Sequence, residues 1–134
     1  MSTDKQIQQF LSGSPHAIVG ASRNRAKYGN KVLRAFQQTG RPAFPVNPVA
    51  DVVEGEKAYA DLASLPEPVF GVSIITPPEV SEQIIEDVVR LGIKHVWFQP
   101  GAESDAAVRR AEQSGLNVIH GGPCILVALR YREG

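Results

Sequence analysis

Five short apolar segments alternate with helical patterns along this chain, and this alternation restricts the fold more than any other feature of the sequence. Residues with high β propensity fill the short segments, which are residues 17–21, 43–47, 69–76, 95–99 and 117–120. Apolar residues at helical spacing fill the longer ones, which are residues 30–39, 78–91, 104–114 and 123–131. Strands that alternate with helices form right-handed crossovers and a parallel sheet. We therefore predict an α/β fold, a doubly wound, Rossmann-like five-stranded parallel sheet with helices on both faces.

Size and charge limit the function of such a domain. The 134 residues suffice for one domain with a core, and we predict a single domain over residues 1–134. The formal net charge is zero, which argues against nucleic acid as a partner, and no stretch is apolar enough to require a membrane. The lone Cys124 cannot form an internal disulfide, and the first residues lack a signal-peptide pattern. We therefore expect a cytoplasmic protein.

A glycine turn after the first predicted strand is suited to hold an anion. The strand at Ala17-Ile18-Val19 ends at Gly20-Ala21-Ser22, and a helical pattern follows. At such a turn backbone N–H groups point toward a phosphate, and the helix N-terminus adds positive potential. The cations are concentrated in this part of the sequence, because residues 5–50 contain no Asp or Glu but hold Lys5, Arg23, Arg25, Lys27, Lys31, Arg34 and Arg41.

Every predicted strand ends in Gly, Pro or small polar residues, which let a ligand approach the backbone closely. In a parallel sheet these ends meet at one edge, and ligands bind there beside the point where the strand order reverses. The five ends are Gly20-Ala21-Ser22, Asn47-Pro48, Thr76-Pro77-Pro78, Gln99-Pro100-Gly101 and His120-Gly121-Gly122. Strand-to-helix turns use the same residue types for structural reasons alone, so no single strand end indicates a ligand site, whereas the five ends together do.

Two common nucleotide motifs are absent from the sequence. A dinucleotide fingerprint requires G-x-G-x-x-G and an acidic residue near the end of the second strand. Here only Gly20 and Gly29 are present, and the second strand ends in Val46-Asn47-Pro48. The G-x-x-x-x-G-K-[ST] pattern of a P-loop does not occur either. The sequence therefore disfavours NAD and a P-loop nucleotide.

A series of short motifs runs in order over nearly the whole chain. It comprises Val19-Gly20-Ala21-Ser22, Lys27-Tyr28-Gly29-Asn30, Phe44-Pro45-Val46-Asn47-Pro48, Tyr59 with Leu62 and Leu65-Pro66, Pro77-Pro78-Glu79, Gly92 with Val96-Trp97-Phe98-Gln99-Pro100-Gly101, and Ala111 with Gly115-Leu116. This series resembles the small CoA-binding proteins, whose single domain is similar to the N-terminal domain of the succinyl-CoA synthetase α subunit. The Val-Asn-Pro and Trp-x-Gln-x-Gly elements after a Gly-Ala-Ser turn are specific in combination.

The resemblance implies coenzyme A as the ligand and assigns its parts to the predicted strand ends. The pyrophosphate would lie over Gly20, Ala21 and Ser22, beside Arg23, Arg25, Lys27 and Tyr28. The adenosine would lie between Val46, Asn47 and Pro48 on one side and Thr76, Pro77 and Pro78 on the other, with the pantetheine arm directed toward Gln99 and Gly101. Cations suit CoA because it carries an additional 3′-phosphate. Lys31 and Arg34 lie further into the helix, and we predict that they are solvated.

Two functional hypotheses follow. The first is a non-catalytic binding module for CoA or an acyl-CoA, a sensor or carrier that acts with a protein partner or as a homo-oligomer. The second is a small nucleotide-cofactor enzyme that acts through His120 or Cys124. Succinyl-CoA synthetase relies on a phosphohistidine and a second subunit outside the domain resembled here, so its ligase chemistry does not transfer. We therefore favour the first hypothesis, with no catalytic residue and no metal.

The last strand end departs from the family pattern. Family members commonly carry Asp-Arg-Cys there, whereas this chain has His120-Gly121-Gly122-Pro123-Cys124. A role tied to the charged pair therefore does not transfer. Pro123 is predicted to begin the final helix, whose N-terminus would favour the thiolate of Cys124. His16, His95 and Trp97 lie on predicted strands away from the ligand edge or in the core, and we predict structural roles for them.

Overall fold

The computed structural model describes residues 2–133 and has a central sheet between two layers of helices. In chain order the elements are α1 (Thr3–Leu11), β1 (His16–Val19), α2 (Tyr28–Gln38), β2 (Ala43–Val46), β3 (Val52–Val53), β4 (Glu56–Lys57), a 3₁₀ turn (Leu62–Ser64), β5 (Gly71–Ile74), α3 (Pro78–Arg90), β6 (His95–Phe98), α4 (Asp105–Gln113), β7 (Asn117–Ile119) and α5 (Ile125–Ala128). None of the helices described is long and apolar enough to cross a bilayer.

The main sheet has five parallel strands in the order β2-β1-β5-β6-β7, as the alternation of strands and helices predicts. Val19 at the end of β1 lies between Val46 of β2 and Ile74 of β5. From β1 the chain moves outward to β2 and then crosses back to β5 on the other side of β1. The order therefore reverses between β1 and β5, where doubly wound sheets leave a crevice for a ligand.

Alternate residues of each strand supply two separate cores. On β6, Val96 and Phe98 face the layer of α3 and α4, whereas Trp97 faces the layer of α1, α2 and α5. All three side chains are fully buried. Both faces of a parallel sheet must be covered, so strands without an exposed face are expected here. The predicted core role of Trp97 is confirmed.

Two elements were not predicted from the sequence. Helix α1 has only three apolar residues, Ile7, Phe10 and Leu11, and all three pack on the core that it shares with α2 and α5. It also makes polar contacts with the edge strand β7: Gln6 Nε2 donates to Val118 O at 3.0 Å, and Asn117 Nδ2 donates to Gln6 O at 3.0 Å. The second element is the hairpin of β3 and β4, whose strands of two residues each are too short to produce a periodic pattern.

The final helix is shorter than predicted. The sequence indicates a helix over residues 123–131, but α5 covers only Ile125–Ala128, and Cys124 occupies its N-cap position. Arg130 has φ 53°, a left-handed conformation that a continuing helix cannot contain. Pro123 precedes the helix, and its carbonyl accepts a hydrogen bond from Trp97 Nε1 at 2.9 Å.

Gly29 sets the distance between the first strand and the first crossover helix. Helix α2 begins at Tyr28, two residues before the predicted start. A Cβ at Gly29 would overlap the carbonyl oxygen of Gly20, so the first turn of α2 can lie against the end of β1 only with glycine at this position. Gly29 thus has the packing role of the last glycine in a dinucleotide fingerprint, although that fingerprint is absent.

We predict that Gly29→Ala lowers the free energy of unfolding by about 1–3 kcal/mol, the usual cost of overpacking. At an exposed helical position the same substitution would raise the free energy of unfolding, because Ala is favoured over Gly in helices by about 1 kcal/mol. Urea unfolding followed by circular dichroism measures the difference. A variant as stable as the wild type would contradict the close contact with Gly20.

His16 is a buried neutral histidine at the end of the sheet opposite the ligand edge. It is fully buried beside Phe10 and Phe36, and Nε2 lies 2.7 Å from Phe10 O. Burial lowers the pKa of His16 from 6.5 to about 4, despite an opposing effect of the hydrogen bond to Phe10. The structural role predicted for His16 is therefore confirmed.

This pKa predicts a specific dependence of stability on pH. Above pH 6.5 His16 is neutral in both states, whereas between pH 6.5 and about 4 the unfolded state binds the proton preferentially. Stability should fall as the pH falls through this window, and the His16 contribution should amount to about 2 kcal/mol at pH 5. The measurement is urea unfolding of wild type and His16→Gln at pH 7.5 and 5. Equal pH dependence in both proteins would contradict the prediction.

Candidate functional site

A cleft of about 790 Å³ lies at the carboxyl edge of the sheet, over the ends of β1 and β5. This is the position that the reversal of strand order predicts. Twelve of the fifteen predicted site residues line it: Gly20, Ala21, Ser22, Lys27, Tyr28, Val46, Asn47, Pro48, Thr76, Pro77, Gln99 and Gly101. The glycine turn, the start of α2 and the loops after β2, β5 and β6 therefore converge on one cavity.

The other three predicted site residues do not line the cleft. Arg23 is exposed and lines an adjoining groove of about 600 Å³, which shares Ser22 and Asn47 with the cleft. Arg25 is turned toward the β3–β4 hairpin, where Nη1 lies 3.0 Å from Glu54 Oε1. Pro78 is the first residue of α3, where its missing N–H leaves no hydrogen bond unmade.

Two helices begin at the cleft without a side-chain cap. Lys27 is the N-cap of α2 and Pro77 the N-cap of α3, and neither provides a side-chain hydrogen bond to its helix. By contrast, Ser2 and Ser104 cap α1 and α4 with their hydroxyl groups, and neither serine lines the cleft. The first N–H groups of a helix need an acceptor. The start of α2 is therefore open to an anionic ligand, whereas α3 begins with Pro78, which has no N–H, and carries the acidic Glu79 in its first turn.

The glycine turn brings the chain close to the neighbouring strand. Gly20 has φ 97°, and a Cβ there would lie 3.1 Å from Ile75 C and Thr76 N. A side chain at this position would be strained and would also obstruct the gap between β1 and β5. Substitution of Gly20 would therefore affect stability and ligand access together.

Asn47 shapes the cleft instead of offering its side chain to a ligand. Its Nδ2 donates to Ala21 O at 2.9 Å, and its Oδ1 accepts from Val49 N at 2.8 Å and Ala50 N at 2.9 Å. The amide group thereby ties the loop after β2 to the glycine turn after β1. The Val-Asn-Pro motif fixes the width of the cleft through these contacts.

Gln99 and Trp97 have a similar role on β6. Gln99 is only 3% exposed, and its Nε2 donates to Cys124 Sγ at 2.9 Å while its Oε1 accepts from Ile125 N at 3.1 Å. Together with the bond from Trp97 to Pro123, these contacts fasten the last segment of the chain to the end of β6. The Trp-x-Gln part of the motif is explained by this attachment.

Arg34 is buried, which corrects the prediction that it is a solvated residue of the helix face. It is 6% exposed, its Nε donates to Asn30 Oδ1 at 2.7 Å, and its Nη2 donates to Arg25 O at 2.9 Å. Its guanidinium lies 5.3 Å from the ring centroid of Tyr131. A buried charge requires such partners. Lys31 is partly buried, with Nζ 3.8 Å from Glu133 Oε2.

Several residues that line the cleft were missed by sequence reasoning. They are mostly apolar, namely Ala60, Ile75, Val80, Ile84 and Ala102, together with Asp61. Val80 is 42% exposed in the first turn of α3 and faces the cleft. Asp61 caps the 3₁₀ turn, since Oδ1 accepts from Ser64 N at 2.9 Å. Val80 and Ile84 fit the helical spacing of residues 78–91, and that spacing alone gives no reason to place them in the cleft.

Neither His120 nor Cys124 lines the cleft. His120 is half-exposed, and its Nε2 lies 3.8 Å from Glu112 Oε2. Cys124 touches the cleft only through Gln99, and it occupies the N-cap position of α5, a helix of four residues. Within residues 2–133 no three His, Cys, Asp or Glu side chains are grouped so that they could hold a metal ion.

Comparison with known proteins gives relatives of two kinds. The chain is 30% identical over 117 residues to the alpha subunit of the ADP-forming acetate–CoA ligase II of Pyrococcus furiosus, covering 85% of this chain and 26% of that subunit. A conserved hypothetical protein from the same organism has 40% identity and a TM-score of 0.81, and the match covers 87% of this chain and 99% of that one. The chain thus spans about a quarter or less of the curated relatives it matches.

A larger enzyme contains the same fold. The dinucleotide-forming acetyl-coenzyme A synthetase 1 of Candidatus Korarchaeum cryptofilum, solved in complex with phosphate and ADP, matches with a TM-score of 0.72 and 28% identity. The match covers 85% of this chain and 27% of that one. The model of the CoA binding domain family matches residues 15–130, which include the glycine turn and every strand of the main sheet. The resemblance seen in the motifs is therefore confirmed, and the chain belongs to the CoA binding domain family.

Proposed function

We propose that this protein binds coenzyme A or an acyl-CoA in the cleft and acts as a non-catalytic binding module, a sensor or carrier. One observation carries the proposal: the uncapped start of α2 lies over the Gly20 turn with Lys27 at the rim, in a chain of the CoA binding domain family. Backbone amides and a lysine are suitable partners for a pyrophosphate.

The pyrophosphate would contact the backbone of residues 20–22 and the first turn of α2. Glycine at positions 20 and 29 leaves the backbone accessible from the cleft. Because Asn47 and Gln99 use their amide groups to hold loops, recognition of the pyrophosphate would depend on backbone N–H groups and on Lys27. Such a site would recognise the negative charge of the ligand more than its shape.

The two ends of the ligand would occupy the two arms of the cleft. On one side Pro48, Ile75, Pro77, Val80 and Ile84 provide an apolar wall for the adenine ring. On the other side Pro100, Gly101 and Ala102 line a path for the pantetheine arm. The resemblance implies the same orientation.

The composition of the lining supports the proposed non-catalytic role. The titratable residues of the cleft are Lys27, Tyr28 and Asp61, and the Oδ1 atom of Asp61 already caps the 3₁₀ turn. A general acid and base would need to lie together within hydrogen-bond reach of a substrate. We propose that any chemistry on the acyl group is performed by a protein partner, since relatives of this chain are parts of larger enzymes.

Isothermal titration calorimetry tests the proposed ligand and its place. We expect the wild type to bind CoA, and Lys27→Gln to raise the Kd about three- to tenfold through loss of one cation at the phosphates. Lys94→Gln is the control, since Lys94 is an exposed lysine just before β6, at the opposite edge of the sheet. Absence of CoA binding, or equal effects of the two substitutions, would contradict the proposal.

The adjoining groove predicts a difference between CoA and dephospho-CoA. Arg23 lines this groove together with Asp51 and Glu54, and Arg25 is paired with Glu54, so we propose Arg23 as the cation for the 3′-phosphate. We expect Arg23→Gln to weaken CoA about threefold or more at low salt and to leave dephospho-CoA nearly unchanged. Equal losses for the two ligands would locate Arg23 at the pyrophosphate, and no loss for either would locate it in solvent.

A further inference from the structure

Glu54 stands in a turn where its residue type is unfavourable. The two residues between β3 and β4 are Glu54, with φ 48°, and Gly55, with φ 80°. Such two-residue hairpin turns strongly favour Asn, Asp or Gly at the first position, because other residues rarely adopt positive φ. A residue kept in such a conformation is a candidate for a role that depends on its side chain.

The contacts of Glu54 all lead to α2 and the loop before it. Its side chain is only 17% exposed. Oε1 accepts from Arg25 Nη1 at 3.0 Å, Oε2 accepts from Asn30 Nδ2 at 3.0 Å, and the backbone carbonyl accepts from Gln37 Nε2 at 3.1 Å. The hairpin is thereby attached to α2 at two points and to the loop before α2 at one.

Through Asn30 and Arg34 the same network holds residues 22–27, which we call the anion loop. Asn30 Nδ2 also donates to Ser22 O at 2.8 Å, and Arg34 donates to Asn30 Oδ1 and to Arg25 O. The anion loop is therefore fixed at its start by Asn30 and in its middle by Arg34 and Glu54. Asn30 is fully buried, which limits the freedom of this network.

We infer that Glu54 is a positioning residue for the ligand site: its carboxylate holds Arg25 and Asn30 so that the anion loop is ordered before the ligand arrives. This inference rests on the proposed binding of CoA at the adjacent turn. A loop that is already ordered binds more tightly, because the entropy of ordering is not lost on binding. Arg25 is then a structural residue of the loop and not a partner of the phosphates.

The inference can be tested by removing the charge of Glu54, because two explanations predict opposite changes in ligand affinity. Coulomb's law alone predicts that removal of a carboxylate near an anionic ligand strengthens binding. If Glu54 instead positions the anion loop, removal of its carboxylate weakens ligand binding. Glu54→Asn separates the two, because Asn suits the left-handed turn but is too short to maintain both contacts.

The matched control lies in the same hairpin. Glu56 is an exposed residue of β4, and Glu56→Gln removes one negative charge without touching the network. Both variants and the wild type are titrated with CoA, their thermal unfolding is recorded without ligand, and amide hydrogen exchange of the ligand-free proteins is followed at Asn24, Ala26 and Lys27. These three amides are hydrogen-bonded within the anion loop.

For Glu54→Asn we expect the Kd for CoA to rise about tenfold. The three amides should exchange faster, and the melting temperature should stay within about 4 °C of the wild type. Glu56→Gln should match the wild type or bind slightly more tightly. Unchanged or tighter binding by Glu54→Asn overturns the inference. If the wild type itself does not bind CoA, the proposed function fails, and the exchange rates still decide the positioning role: faster exchange supports it and unchanged exchange overturns it.

Discussion

The contact between Gly29 and the Gly20 carbonyl is the constraint on which the rest of the site depends. It allows α2 to begin directly above the end of β1, so the first amides of the helix and the turn amides face the same cavity. A larger side chain at position 29 would push the helix away from the strand. The cleft between β1 and β5 would then lose the wall that an anion needs.

Polar side chains around this contact are used mainly to hold backbone in place. Asn47 ties the β2 loop to Ala21, Asn30 ties α2 to Ser22, and Gln99 ties β6 to the last segment of the chain. Each of these amides is partly or fully buried and hydrogen-bonded, as buried polar groups must be. The lining that remains for a ligand consists mainly of backbone and apolar side chains, together with Lys27, Tyr28 and Asp61.

The sequence predicted the strands well because each is an apolar segment bounded by Gly, Pro or polar residues, and the parallel arrangement followed from the helices between them. Twelve of the fifteen proposed site residues surround the cleft because strand ends of a parallel sheet converge on one edge. Arg23 lines the adjoining groove and Pro78 begins α3, whereas Arg25 pairs with Glu54, a contact that no local pattern reveals. Arg34 has a local partner in Asn30, but the ring of Tyr131 that covers its guanidinium is distant in sequence. Helix α1 was not predicted because it has few apolar residues and its polar partners for Gln6 are residues 117 and 118.

The central claim is that CoA binds over the Gly20 turn at the start of α2. Titration of isotopically labelled protein with CoA, followed by two-dimensional amide NMR, tests this claim most directly. The account predicts the largest shift changes at the amides of Gly20, Ala21, Ser22, Tyr28 and Gly29, with little change at His16 and Lys94 at the opposite edge of the sheet. Saturable binding that leaves the amides of the turn and of α2 unchanged, or that shifts mainly residues 120–124, would contradict it.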